Sequence, residues 1–320
     1  LKNNLSIFVL GWDRTKNLKT KSAVQLLSGK VNLHLYQRLA KFGSGFGNSF
    51  NIILFNIWLL YKLFKMRKKF DYILSMDLDT IIPSYLISVL FKKKIIFDII
   101  DNYAYSHRLP SFLIGLTNYI ENLFISAVDN VIVCNEERKK LISSKNHFKT
   151  IVVHNTPDLL TNKILKKKVS LSKTNKMKIV YVGTLHFGRL ILEIVSEALN
   201  NIDFELHIAG FGPYENEIKS ISNSSENIFF YGRLSNEKSI SLQKECDILF
   251  ATYDPSISIN KYSAPLKLYE AMLLSKPIVV CRGTTSDLIV NRYSMGSVIN
   301  YNKFEFWKSI KEISSNRNSL

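Results

Sequence analysis

The sequence predicts an α/β protein built from two consecutive doubly wound units. Three observations carry that expectation. Short strands alternate with helices along the whole chain of 320 residues. The strands are continuous apolar runs rather than alternating ones, which marks parallel sheets covered on both faces. A polar stretch, residues 161–177, is rich in Lys, Ser and Thr and separates one set of elements from a second set that restarts the pattern.

In the first unit, residues 1–160, strands are expected at Leu5–Leu10, Val31–Tyr36, Tyr72–Ser75, Lys94–Asp98, Asn130–Cys134 and Thr150–His154. Helices are expected at 49–66, Ile81–Phe91, 111–127 and from Glu136 to about Ser143. In the second unit, residues 178–320, strands are expected at Lys178–Val182, Phe204–Ala209, Ile228–Tyr231, Asp247–Phe250 and Pro277–Val280. Helices are expected at Leu190–Asn200, Glu215–Ile221, Asn236–Lys244, Pro265–Leu274 and Phe304–Ile313. Two such units commonly bind a ligand in the cleft between them, at the carboxyl ends of the strands.

Composition narrows the class. Hydrophobic residues make up 46% of the chain, enough for real cores. Mean hydropathy is near zero, which argues against an integral protein with several spans. Cys134, Cys246 and Cys281 are far apart, fit no metal-ligand spacing and read as reduced residues of a cytoplasmic protein. No stretch has the build of a signal peptide.

The net charge of +17 is uneven. Residues 1–170 hold 26 Lys/Arg against 11 Asp/Glu, and residues 171–320 hold 17 against 15. The basic half implies an anionic partner: nucleic acid, a membrane surface or a phosphorylated substrate. A codon bias towards Lys and Asn is the alternative.

The richest segment runs from Asn260 to Val280: a loop, a helix and a buried strand. Pro265 suits the first helical position. The backbone amides from Ser263 through Ala264 and Pro265 to Leu266 then surround a helix start suited to phosphate. Lys267 adds a positive charge there. Glu270, one turn on, can accept hydrogen bonds from a ribose diol.

This segment resembles the family 4 glycosyltransferases of the GT-B fold, which carry Pro-x-Lys-Leu-x-Glu followed by Gly-Lys-Pro and a valine-rich strand. Pro265, Lys267, Leu268, Glu270, Lys276, Pro277, Val279 and Val280 match. Ser275 stands where the family usually has glycine, and Tyr262 where it often has a second glutamate.

Val180–Arg189 resembles a second family segment, with Gly183 and Thr184 at the strand end. Arg189 takes the place of the family's lysine, and Leu190 that of its second glycine. Ile208–Pro213, with Gly210 and Gly212, and Tyr231–Leu234, with Arg233 and Leu234 as candidates to cradle the base, extend the likeness. Each of these two segments is equally well read as a plain strand-to-turn signal.

In the first half, Asp101 matches an acidic residue of the family's cleft. It and His107 are candidates to contact the transferred sugar or the acceptor, with a plain surface histidine an equal reading of His107. Gly43, Gly45 and Gly47 form a glycine-rich loop suited to close approach of donor or acceptor, or simply a surface loop. Met76-Asp-Leu-Asp79 has the spacing of a metal-binding Asp-x-Asp, but the motif at 260–280 is unexplained on that reading, so it is taken as coincidence.

The resemblance implies transfer of a sugar from a nucleotide-diphosphate donor, of UDP or GDP type, to a glycan or lipid-linked acceptor in cell-surface polysaccharide synthesis. It implies retention at the anomeric carbon, no metal and no cofactor, with Arg189 and Lys267 neutralising the leaving diphosphate. A sugar-nucleotide epimerase of similar fold and a basic nucleic-acid-binding protein are the alternatives. Phe50–Lys69, apolar with a basic end, is either an interfacial helix with Trp58 and Tyr61 at headgroup depth or a core helix with a solvated end. The first reading places the protein in the cytoplasm, peripheral on the inner face of the membrane.

Overall fold

The computed structural model describes residues 6–16, 23–26, 29–40, 45–101, 103–106, 109–157, 171 and 174–316. Of the candidate residues, Gly43 and His107 lie outside these, as do residues 161–170 and 172–173 of the expected linker. The chain divides into two compact units, Leu1–Val153 and His154–Leu320.

The first unit holds two sheets. Strands β1 (Ile7–Asp13), β2 (Ala23–Leu26) and β3 (Gly29–Gln37) form one, in the order β1-β3-β2. Strand β2 was not expected from the sequence, and it runs antiparallel to β3, from Ala23 opposite Asn32 to Leu26 opposite Gly29. Strands β4 (Tyr72–Met76), β5 (Lys94–Ile99), β6 (Asn130–Val133) and β7 (Thr150–Val152) form a parallel sheet in that order.

The core of this unit joins Ile73, Ile95, Phe97 and Val131 of the strands to Phe55, Leu59, Ile81, Ile87 and Ile125 of the helices. The expectation that both sheet faces are covered fails here. Tyr72, Leu74 and Met76 alternate with buried Ile73 and Ser75, and all three are about half or more exposed. A strand that reads as a solid apolar run is therefore packed on one side only.

The second unit has six parallel strands: β8 (Met177–Thr184), β9 (Phe204–Phe211), β10 (Ile228–Phe230), β11 (Ile248–Ala251), β12 (Ile278–Cys281) and β13 (Gly296–Ile299). Their order is β10-β9-β8-β11-β12-β13. All of β9 except its last residue is buried, as expected for a strand covered by helices on both faces. Ile179, Tyr181, Leu206, Ile208 and Phe250 point to one layer, with helices Ile191–Ala198 and Lys303–Ser315. Val180, Ala209, Leu249, Val280 and Leu268 point to the other. Helix Thr285–Tyr293 and strand β13 complete the unit and escaped the sequence reading.

Candidate functional site

In the second unit the strand order reverses direction at β8: β9 and β10 lie on one side, β11 to β13 on the other. A doubly wound sheet opens a crevice at the carboxyl ends of its strands at such a reversal. The ends of β8 and β11 meet there, and helix Leu266–Leu274 follows from the adjoining loop.

Two cations converge on this point. The Arg189 guanidinium lies 3.7 Å from the centre of the Tyr253 ring and donates to Asn260 Oδ1 at 2.7 Å. Its Nε is buried and has no hydrogen-bond partner among the described residues. Lys267 Nζ approaches the Tyr253 hydroxyl at 3.4 Å and lies 4.8 Å from the centre of the Tyr181 ring. Among the described residues, neither cation pairs with a carboxylate.

Aromatic faces and phenol oxygens substitute for a counter-anion. Burial pushes the Lys267 ammonium down, but the Tyr253 and Tyr181 oxygens outweigh it and hold it charged. Burial likewise pushes the Tyr253 phenol up, and the charges of Lys267 and Arg189 outweigh that, so the net direction is down. Two cations in a half-buried crevice, neither bonded to a carboxylate among the described residues, form a site for an anionic ligand.

The surrounding loop is tied together by bonds to its backbone carbonyls. Thr252 Oγ1 donates to the Arg189 carbonyl at 2.5 Å, and Asp254 N to the Gly188 carbonyl at 3.1 Å. Gly188 takes φ +76°, and a Cβ there would sit 2.6 Å from Ile257 Cδ1. Leu190 starts the next helix at φ 53°, a left-handed conformation, with its amide bonded to the Tyr301 hydroxyl. It occupies the position where the resemblance expects glycine.

At the helix itself, Pro265 is the cap residue with φ −67° and ψ 129°, and the helix begins at Leu266. The sequence reading placed Pro265 one position too late. The Ser263 amide is also paired, with the Asn260 carbonyl at 3.3 Å, so the free donors of the first turn begin after Pro265. Tyr262 caps the short helix Ser258–Lys261, and the Ala264 carbonyl accepts from Asn155 Nδ2 at 3.5 Å. Leu266 is exposed beside the crevice, and Leu268 is buried beneath it.

Glu270 is 6% exposed. Burial raises its pKa, opposed by a hydrogen bond from Gln243 and the charge of Lys267. Gln243 escaped the sequence reading, because nothing in its local pattern separates it from an ordinary helix residue.

The glycines divide by role. A Cβ on Gly183 would lie 2.7 Å from Lys267 Nζ, so the space it leaves holds the ammonium. Gly210 and Gly212 are packing glycines: a Cβ would come within 1.8 Å of the Gly183 carbonyl and 2.4 Å of the Leu185 carbonyl respectively. Thr184 is exposed at the strand end, where its carbonyl accepts from the Tyr181 hydroxyl at 2.8 Å. Beyond β10, Arg233 is exposed over the Phe211 ring at 4.5 Å, and Leu234 packs against the core.

In the first unit, the Asp101 carboxylate is held by Arg138, which also donates to the Ile100 carbonyl. Gly45 and Gly47 lie in the short 3-10 turn Gly45–Asn48 that leads into helix Ser49–Met66. Asp77 takes φ 54° and ψ 174°, a region nearly reserved for glycine. Its Oδ1 accepts from the Ile100 amide at 3.0 Å. Asp79 accepts from the Tyr103 hydroxyl. Both carboxylates of the Asp-x-Asp are thus bonded to the protein itself. Among the described residues, no cluster of His, Cys, Asp or Glu is suited to a metal ion, and all three cysteines are free.

An α/β unit with this strand order, following another α/β unit in the chain, has the architecture of the GT-B fold. Residues 176–316 match the model of the family described as Glycosyl transferases group 1. The matched stretch lies within the second unit and spans under half of the chain. No curated protein sequence matches the chain.

Solved structures share its fold at low identity. One is HepE of Anabaena in complex with UDP-glucose, at 12% identity and a TM-score of 0.62, covering 98% of this chain and 91% of that one. Another is a glycosyltransferase from Rickettsia africae, at 13% identity and a TM-score of 0.62, covering 89% and 75%. A third is the UDP-GlcNAc 2-epimerase of Methanocaldococcus jannaschii, at 14% identity and a TM-score of 0.55, covering 96% and 92%.

Proposed function

We propose that the protein transfers a sugar from a nucleotide-diphosphate donor to a glycan or lipid-linked acceptor, with retention at the anomeric carbon and without a metal, in cell-surface polysaccharide synthesis. The observation that carries this reading is the convergence of Arg189 and Lys267 at the sheet reversal, with no carboxylate bonded to either among the described residues. As the bond from the sugar to the diphosphate breaks, negative charge builds on the leaving oxygen. Lys267, Arg189 and the amides opening helix Leu266–Leu274 neutralise that charge, the task a metal ion performs elsewhere. Glu270 takes the ribose hydroxyls, and Arg233 and Leu234 border the base.

UDP is the first nucleotide to test, since the HepE structure holds a UDP sugar. Asp101, His107, Gly43, Gly45 and Gly47 are assigned to the acceptor or the transferred sugar. The family-model match favours transfer over epimerisation. We place the protein in the cytoplasm, peripheral on the inner membrane face.

Thermal stabilisation by UDP, GDP and their sugars tests the donor site. Stabilisation by one of them, lost in Lys267→Ala, is the expected result; no shift with any of them overturns the reading. Product formed from donor alone, without acceptor, would assign an epimerase instead.

A further inference from the structure

The two long helices that open the first unit are apolar on the faces turned away from the core. Helix Ser49–Met66 buries Phe55, Leu59, Leu63 and Met66. At ~100° per residue, Phe50, Ile53, Ile57, Tyr61 and Phe64 fall on the opposite side in one narrow stripe. All five are exposed, Phe50 and Ile57 by 65% and 60%. From Phe50 to Phe64 at ~1.5 Å per residue, the stripe is about 21 Å long.

Helix Leu78–Phe91 inverts the usual arrangement. Its buried face includes Ser84 and Ser88 beside Ile81 and Ile87, while Ile82, Leu86, Val89 and Leu90 are exposed. Leu90 is 69% exposed. A helix in contact with water on that face would place the serines outward.

The two helices are neighbours. Asn56 Nδ2 donates to the Asp79 carbonyl at 2.9 Å, and the Phe64 and Phe91 rings lie 5.7 Å apart. Their carboxyl ends therefore lie together, with the Arg67 guanidinium over both rings at 4.4 and 5.4 Å.

Around that shared end stand Lys62, Lys65, Lys68, Lys69, Lys92 and Lys93. Helix Ser49–Met66 carries no acidic residue, and helix Leu78–Phe91 carries only Asp79, which is bonded to Tyr103. The opposing charges at this end are Asp71, 3.6 Å from Lys93, and Asp129, which pairs with Lys94. The basic charge is thus in large excess beside an apolar strip, and no described helix is long and apolar enough to cross a membrane.

We propose that helices Ser49–Met66 and Leu78–Phe91 form one docking face that lies flat on a bilayer containing anionic lipid. The apolar stripes enter the acyl boundary, and the lysines at the shared carboxyl end meet the headgroups. Trp58 takes no part: its ring packs inward against Tyr36 and Phe55 at 5.7 and 6.0 Å, not at the headgroup depth that one of the two sequence readings gave it. The proposal deepens the peripheral placement given above and needs no assumption about the donor.

Sedimentation with vesicles tests it. One set contains phosphatidylcholine alone, and the other has roughly one third phosphatidylglycerol. The expected result is binding to the anionic set only, weakened by salt at ~0.5 M. Ile53→Ser with Ile57→Ser and Leu90→Ser should lower the apparent affinity at least tenfold, and Lys65→Glu with Lys68→Glu about fivefold or more per charge. Circular dichroism and the thermal shift with UDP follow each variant, so that loss of the fold or of the donor site is read separately. Equal binding to both vesicle sets, binding to neither, or unchanged binding by the serine variant overturns the proposal. Wild-type dimerisation abolished by the serine variant would give the face to a second copy, and would also overturn it.

Discussion

Lys267 and Gly183 share one volume. The ammonium fills the place a side chain at Gly183 would need, with a constructed Cβ 2.7 Å from Nζ and 3.0 Å from Cε. The glycine is thus required by the protein's own lysine. Gly183→Ala should push the ammonium out of the crevice and weaken UDP binding about tenfold, while the melting temperature moves by only a few degrees. Calorimetric titration with UDP checks this; unchanged affinity would show that the lysine is not part of the site.

Arg189→Ala and Lys267→Ala should each lower turnover about 100-fold or more, since each removes charge stabilisation of the leaving group in a crevice sheltered from water. Neither cation is tied to a carboxylate among the described residues, so the fold should survive both changes. Single-turnover assays beside thermal melts separate the two effects.

Glu270 illustrates a conflict between binding and stability. Burial raises its pKa, so the folded protein holds a proton there more tightly than the unfolded chain. The stability linked to this group therefore rises as pH falls through the folded value, and the ionised form is a cost at neutral pH. Glu270→Gln should raise the melting temperature of the free protein at pH 8 and weaken nucleotide binding. For the wild type, UDP affinity should fall as pH is lowered and the carboxylate takes up its proton, at a pH above the ordinary glutamate range. Wild-type UDP affinity in the variant would remove Glu270 from the site.

Ser275 and Leu190 have φ of 51° and 53°, left-handed conformations that cost a side chain about 1 kcal/mol. Ser275→Gly should stabilise the chain by roughly that amount, seen as a melting temperature about 2–4 °C higher. Leu190→Gly should do the reverse. The leucine is only 5% exposed, and losing its buried side chain costs about 2–5 kcal/mol, more than the strain relieved.

In the first unit, burial raises Asp77 to about 6 and Glu121 to about 7. Both values exceed those of the unfolded chain, so these groups favour the fold increasingly as pH falls from 8 to 5. Asp77→Asn with Glu121→Gln should flatten that part of the stability profile. Thermal melts across the range check it, and an unchanged slope would assign the dependence to other groups.

The strands and helices of the second unit were legible because a doubly wound sheet writes each buried strand as a solid apolar run. Glu270 and Lys267 were legible because they stand four and one residues into a recognisable helix start. Tyr253, Asn260 and Gln243 were not: each acts through a neighbour distant in sequence, and no local pattern marks it. Strand β2 was missed because Ala23–Leu26 is short and has no turn signal of its own. The open face of β4 was misjudged because an apolar run reads the same whether one side or two are packed.

The amino-acid sequence by itself determined the α/β class, the order of the elements and the helix start that carries Lys267, since these follow from periodicity and local chemistry. The tertiary structure alone decided that Arg189 and Lys267 meet over Tyr253, with no carboxylate bonded to either among the described residues, and that the lysine uses the space left by Gly183. It also decided which faces of helices Ser49–Met66 and Leu78–Phe91 are left outside the core. Periodicity cannot assign a side to a helix that is apolar all round; only the sheet it packs against can.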